Sequence, residues 1–245
     1  MITNAAKENY FQLFPEELLA SVLDAFVINQ PMIGEVGGDG FWVHQTQEYL
    51  FVVVFDCMGH GYGASMMTRI YTRALEQIVG ELTDPNQILT AVHEHVKSLF
   101  FGKPKKHIGS GADMGVLRIS KTSRELIFAG AKTNLIRVSV DQCEILKADR
   151  LQLGELFEYP RAYTNHVMHL NEPQGANFYL ASDGFTDMIG GQDTKRFGSK
   201  QVKHLLKKVA HHPINIQKEK ITSSIASWCG ANEPVDDLLI VGLRI

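Results

Sequence analysis

Little in this 245-residue chain is extreme, and each shortage removes a class of protein. Charge imbalance is small: 24 Lys and Arg against 27 Asp and Glu leave a formal net charge of −3. That excludes a strongly basic nucleic-acid binder. Only three cysteines occur, Cys57, Cys143 and Cys229, widely spaced and without a C-x-x-C pair. Neither a disulfide framework nor a zinc knuckle is expected, and the thiols read as reduced. The longest apolar run, Tyr49 to Phe55, is far shorter than the roughly 20 residues of a membrane-spanning helix. The N-terminus lacks the basic start and apolar core of a secretory signal. A cytoplasmic location without membrane contact is therefore expected. No repeat, linker or low-complexity tract is visible, so one domain over residues 1–245 is the economical reading, with 1–27 as a helical lead-in. What is present is globular material: 44% apolar and 21% charged residues, enough for a core.

Local pattern assigns the elements. Pro15-Glu16-Glu17 followed by Leu18, Leu19, Val22, Leu23 and Phe26 predicts a helix over about 15–26, with acids in its first turn. Tyr49 to Phe55 is continuous, β-branched and aromatic, which suits a strand covered on both faces. Ala64 to Val79 has helical composition, and Asp84-Pro85 starts a second helix with Ile88, Leu89, Val92, Val96 and Leu99 on its buried stripe. Residues 114–119, 125–129 and 134–140 read as three consecutive strands of an antiparallel meander. Phe178 to Ala181 and Leu238 to Ile245 are further strands, separated by helices around Val202, Leu205, Leu206 and Val209, then Ile221, Ile225 and Trp228. Strands interleaved with paired helices predict sheets with helices packed outside.

Four acids share one setting at the edge of an apolar strand: Asp39 in Gly37-Gly38-Asp39-Gly40, Asp56 in Phe55-Asp56-Cys57, Asp183 before Gly184, and Asp236 before Asp237. Singly, Asp beside Gly is turn chemistry. Should the strand ends converge, however, the carboxylates would repel one another unless cations lay between them. All-oxygen donors suit Mg2+ or Mn2+, whereas zinc would call on His or Cys. Two such ions acidify a bridging water and aim it at phosphorus, so phosphate ester hydrolysis is the expected chemistry.

The motifs Gly37-Gly38-Asp39-Gly40-Phe41-Trp42, Phe55-Asp56-Cys57-Met58-Gly59-His60-Gly61, Ala181-Ser182-Asp183-Gly184 and Val235-Asp236-Asp237-Leu238 together resemble the SpoIIE-like branch of the metal-dependent protein phosphatases (PPM), and within it the SiaA-like phosphatases of bacterial signalling proteins. The resemblance implies an α+β fold, a four-layer αββα sandwich with two mainly antiparallel sheets, and two Mn2+ or Mg2+ ions, with a third considered. It implies phosphoserine or phosphothreonine in a protein as substrate. Carried over, Asp39 and Asp56 hold both ions, the Cys57 carbonyl adds a ligand, and Asp183 and Asp236, with Asp237 beside them, complete the second. His60 is a candidate general acid, placed two residues beyond Met58, where eukaryotic relatives carry a histidine. Asp113 stands where many relatives have threonine and becomes a candidate for a third ion or the substrate. Gly40 replaces the usual large aromatic. The implied partners are a phosphorylated regulator resembling an anti-sigma-factor antagonist, and a homodimer mate or upstream sensor domain.

Gly59-x-Gly61-x-x-Ala64 satisfies a dinucleotide fingerprint, which needs a second parallel strand ending in an acid, whereas the chain runs into a helix at Pro85. His93 and His95, two apart on a helix, face different directions and do not make a zinc pair. The basic loop 102–107 suits solvent or a phosphoprotein, and Phe11, Leu13 and Phe14 suit packing or a regulatory contact. A catalytically inactive binding module with the same fold is the remaining alternative. It is expected to have lost a ligand, and here all four acids are present.

Overall fold

The computed structural model describes residues 16–34, 36–100, 109–140, 142–155, 162–170 and 175–245. The elements run α1 (Glu16–Val22), β1 (Asp24–Gln30), β2 (Asp39–Gln45), β3 (Tyr49–Cys57), α2 (Gly61–Ile78), α3 (Pro85–Phe100), β4 (Ala112–Ser120) and β5 (Glu125–Ala131). They continue with β6 (Leu135–Val138), β7 (Cys143–Leu146), β8 (His166–His169), β9 (Asn177–Ala181), α4 (Gly184–Asp187), β10 (Ile189–Gly190), β11 (Lys195–Arg196), α5 (Gly198–Val209), α6 (Ile214–Cys229) and β12 (Leu238–Arg244). Two five-stranded sheets, ordered β1-β12-β9-β6-β7 and β2-β3-β4-β5-β8, carry the fold.

Period-two alternation along β3 explains both its composition and the layering. Leu50, Val52 and Val54 enter the core between the sheets, while Phe51, Val53 and Phe55 pack under α2 and α3 against Tyr71, Leu75, Ile88 and Val92. Every one is buried, so a strand lying between two apolar layers has no polar alternate positions. Each such side chain contributes about 1.5–3 kcal/mol on burial. The other sheet repeats the scheme: Val241 and Leu243 face inward, while Ile240, Phe26 and Tyr179 pack against Val202, Leu206 and Ile221 of α5 and α6. Two antiparallel sheets with helices outside give the expected αββα sandwich. No described helix is long and apolar enough to cross a membrane.

Three expectations are corrected. The helix predicted to reach residue 26 ends at Val22, because Asp24 to Gln30 pair with Arg244 to Leu238 as an edge strand. Leu18, Leu19, Val22, Leu23 and Phe26 have helical spacing, but the ladder with β12 overrides it, and the Phe26 ring packs 6.4 Å from Tyr179. The meander ends after two strands: β4 pairs with β5, whereas β6 crosses to the other sheet between β9 and β7. Leu99 lies on the exposed side of α3. Phe11, Leu13, Phe14, Pro15 and the basic loop 102–107 lie outside the described residues.

Candidate active site

Strand register carries the acids to one place. Asp39 opens β2 opposite Asp56 near the end of β3, and Asp56 in turn stands opposite Asp113 near the start of β4. Directly paired residues on antiparallel strands project to one face. Phe41 and Val54, two residues away, identify it as the face between the sheets. The other sheet contributes Asp183 just after β9 and Asp236 and Asp237 just before β12. These strands are antiparallel neighbours, and the Ser182 N–H donates to the Leu239 carbonyl at 3.0 Å where their ends meet.

Ser182, which the sequence reading passed over, fastens the two sheets at this point. Its hydroxyl donates to Asp39 Oδ2 at 2.6 Å and accepts from the Leu239 N–H at 3.0 Å. A serine immediately before the third acid was the available signal.

The electrostatics of the cluster are unfavourable in the absence of cations. Asp39 is held well above the usual carboxylate range, first by burial, then by the charges of Asp237, Asp236 and Asp183, against the opposing Ser182 hydrogen bond. Asp56 is pushed up to about 10 by burial and then by Asp39, Asp183, Asp236 and Asp113. Asp183 and Asp236 are raised as well, mainly by lost hydration, although Asp183 keeps an exposed face at the mouth. Asp56 and Asp183 lie near enough for the Asp183 charge to help raise Asp56. Such a set fits hard divalent cations in donor type and charge. Among the described residues, no three His, Cys, Asp or Glu side chains stand grouped as a ligand shell.

The remaining expected site residues divide. Cys57 is buried beside Asp56, and its carbonyl oxygen would lie 2.5 Å from a Cβ placed on Gly38. Glycine there lets that oxygen pass close to β2. Asp113 borders the cluster and accepts from Gln152 Nε2 at 2.8 Å. Asp237 has backbone partners: its Oδ1 accepts from the Met32 N–H and its Oδ2 from the Gly38 N–H, both at 2.6 Å. Buried against backbone amides, it clamps the loop entering β2, and Gly37 is required because a Cβ would fall 2.5 Å from that carboxylate. His60 sits exposed at the N-cap position of α2 without a side-chain cap bond, and no hydrogen bond or ion pair joins it to the acids among the described residues. Phe55 fills the space beside Gly40, where a Cβ would lie 2.6 Å from its ring. The Gly59-x-Gly61 turn leads from an antiparallel strand into α2, and among the described residues the next strand, β4, pairs antiparallel to β3, so the dinucleotide reading lacks its context. His93 is buried with Nδ1 accepting from the Gly154 N–H at 3.1 Å.

Two antiparallel sheets, flanking helices and an acid cluster at one end of the cleft between them define a PP2C-type phosphatase fold. The family model described as Stage II sporulation protein E (SpoIIE) matches residues 46–245. The chain belongs to the SpoIIE family, within the PPM phosphatases. It is similar to the SiaA-PP2C domain of Pseudomonas aeruginosa, with 26% identity and a TM-score of 0.89 over 98% of this chain and 94% of that one. It is also similar to the PP2C phosphatase domain and regulatory-domain fragment of SpoIIE from Bacillus subtilis, with 15% identity and a TM-score of 0.72 over 90% of this chain and 62% of that one. RsbX in complex with magnesium matches at 18% identity and a TM-score of 0.60, over 90% of this chain and 94% of that one. Among curated proteins no significant match is found.

Proposed function

We propose that this chain is a Mn2+- or Mg2+-dependent serine/threonine phosphatase that hydrolyses phosphoserine or phosphothreonine on a bacterial signalling regulator. The observation that carries the proposal is the convergence of Asp39, Asp56, Asp183 and Asp236 from four strand ends of two sheets, with each carboxyl raised above its usual range. Asp39 and Asp56, with the Cys57 carbonyl, would hold one ion and share the second with Asp183 and Asp236. When bound, the ions supply charge neutralisation and an acidified water for in-line attack at phosphorus. The protein's own part is positional: Ser182 orients Asp39, Asp237 fixes the loop that delivers it, and Asp113 borders the approach. A small phosphorylated domain resembling an anti-sigma-factor antagonist is the proposed substrate, in a cytoplasmic setting, under control of a sensor domain or a second copy. The test is phosphate release from a phosphoserine peptide with and without Mn2+. Wild type should turn over only with metal and Asp56→Ala should not; metal-independent or undiminished turnover in the variant overturns the assignment.

A further inference from the structure

We propose that Lys132 binds the substrate's phosphoryl group as it enters the cleft beside Asp56 and Asp183. This rests on the hydrolase reading above and names the residue that receives the anion. A cavity of about 190 Å3 opens next to the acid cluster, lined by Asp56, Asp113 and Asp183, with Ile136 and Phe185 as apolar surface. Lys132 is the sole cationic side chain among the described residues lining it.

Two features show how Lys132 is presented. Its backbone is in the left-handed region, with φ of 60°, a conformation costing a non-glycine residue about 1–2 kcal/mol. The turn is held nonetheless, because the Lys132 N–H donates to the Asp149 carbonyl and the Thr133 N–H to the Ala131 carbonyl, each at 2.8 Å. Non-glycine residues kept in this region cluster at ligand-binding sites. The ammonium, meanwhile, is only loosely committed: Nζ lies 3.7 Å from Asp113 Oδ1, and the side chain is 40% exposed. Asp113 already accepts from Gln152, so exchanging this long, solvated ion pair for a phosphate costs little.

Charge gives the reason for a cation there. Four carboxylates would balance two divalent ions and Asp113 adds a further carboxyl at the cavity wall, so an arriving phosphate carrying nearly two negative charges meets no net positive charge from them. A lysine ammonium at the cavity wall supplies it as a point charge on a flexible stem.

The test compares wild type, Lys132→Gln and Lys132→Arg in Mn2+, using a phosphoserine peptide, p-nitrophenyl phosphate, and calorimetric binding of inorganic phosphate. Lys132→Gln should raise KM for both substrates and the phosphate Kd about tenfold, equivalent to about 1.4 kcal/mol, and lower kcat by less. Lys132→Arg should recover most of the loss, with thermal midpoints of both variants near wild type. A merely structural Lys132 would instead lower the midpoint and leave phosphate affinity alone, which overturns the proposal. Wild-type turnover with unchanged KM and Kd in Lys132→Gln overturns this inference by itself, whereas absence of wild-type turnover overturns the hydrolase reading and this one with it.

Discussion

Raising the pH of the metal-free protein should destabilise it, because the acid cluster is forced to give up protons it keeps in the fold. Asp56 has a folded pKa of about 10, whereas an unfolded Asp ionises near 3.9. Between those values the unfolded chain releases a proton that the native state retains. Stability from this group is therefore full below about pH 4 and declines as pH rises toward the folded value. The slope is about 1.4 kcal/mol per pH unit for one proton, so the loss from pH 5 to pH 8 is about 4 kcal/mol as an upper limit. For a chain of this size that is on the order of 10 °C in Tm. Asp39, raised in the same direction, steepens the decline. Saturating Mn2+ should reverse it, since a ligand at a hundredfold its Kd adds about 2.7 kcal/mol. The assay is a series of thermal melts in chelator from pH 5 to 8, repeated in MnCl2, on wild type and Asp56→Asn. Removing the titrating carboxyl should flatten the metal-free profile and shrink the Mn2+ shift. A metal-free Tm constant across this range, or an Asp56→Asn profile as steep as wild type, would refute the reasoning.

Neighbouring acids should separate by role. Asp237→Ala leaves the Met32 and Gly38 amides without their carboxylate acceptor and should cost about 2–4 kcal/mol in denaturant unfolding; Asp236→Ala should weaken Mn2+ binding while leaving the metal-free protein as stable or more so. Gly37→Ala, whose Cβ would meet the Asp237 carboxylate at 2.5 Å, should reproduce the Asp237→Ala instability, and a wild-type unfolding midpoint would contradict the clamp. Ser182→Ala removes the bond that holds Asp39 down in pKa, so Mn2+ titrations should shift to weaker binding by about fivefold to tenfold, as expected for one hydrogen bond of about 1 kcal/mol. An unchanged midpoint there would show that the serine does not tune the site.

How far the sequence discloses this molecule depends on whether a signal is local. The Tyr49 to Phe55 run announces a strand buried on both faces because each residue's burial follows from its own side chain, and both layers around β3 are found where it requires them. The acids are equally visible, since each stands at one edge of an apolar strand. By contrast β1 is hidden: Leu18 through Phe26 carries helical spacing, and only pairing with residues 238–244 at the far end of the chain makes 24–30 a strand. The crossover of β6 is similarly non-local, decided by β9 rather than by the preceding hairpin.

The difference between Asp236 and Asp237 is a sharper instance of that rule. Adjacent in sequence and identical in type, they meet different partners in the bend that precedes β12. One carboxylate remains half-buried near the cluster; the other is buried against amides contributed by residues 32 and 38, some two hundred positions earlier. No motif distinguishes a carboxylate left facing the acid cluster from one that meets N–H groups, since the two residues are the same in type. The partner alone assigns the role, and it comes from the loop that Gly37 and Gly38 permit to pass so closely. The glycine pair and Asp237 thus form one device: they set the position of Asp39, on which the rest of the acid cluster is registered through Asp56.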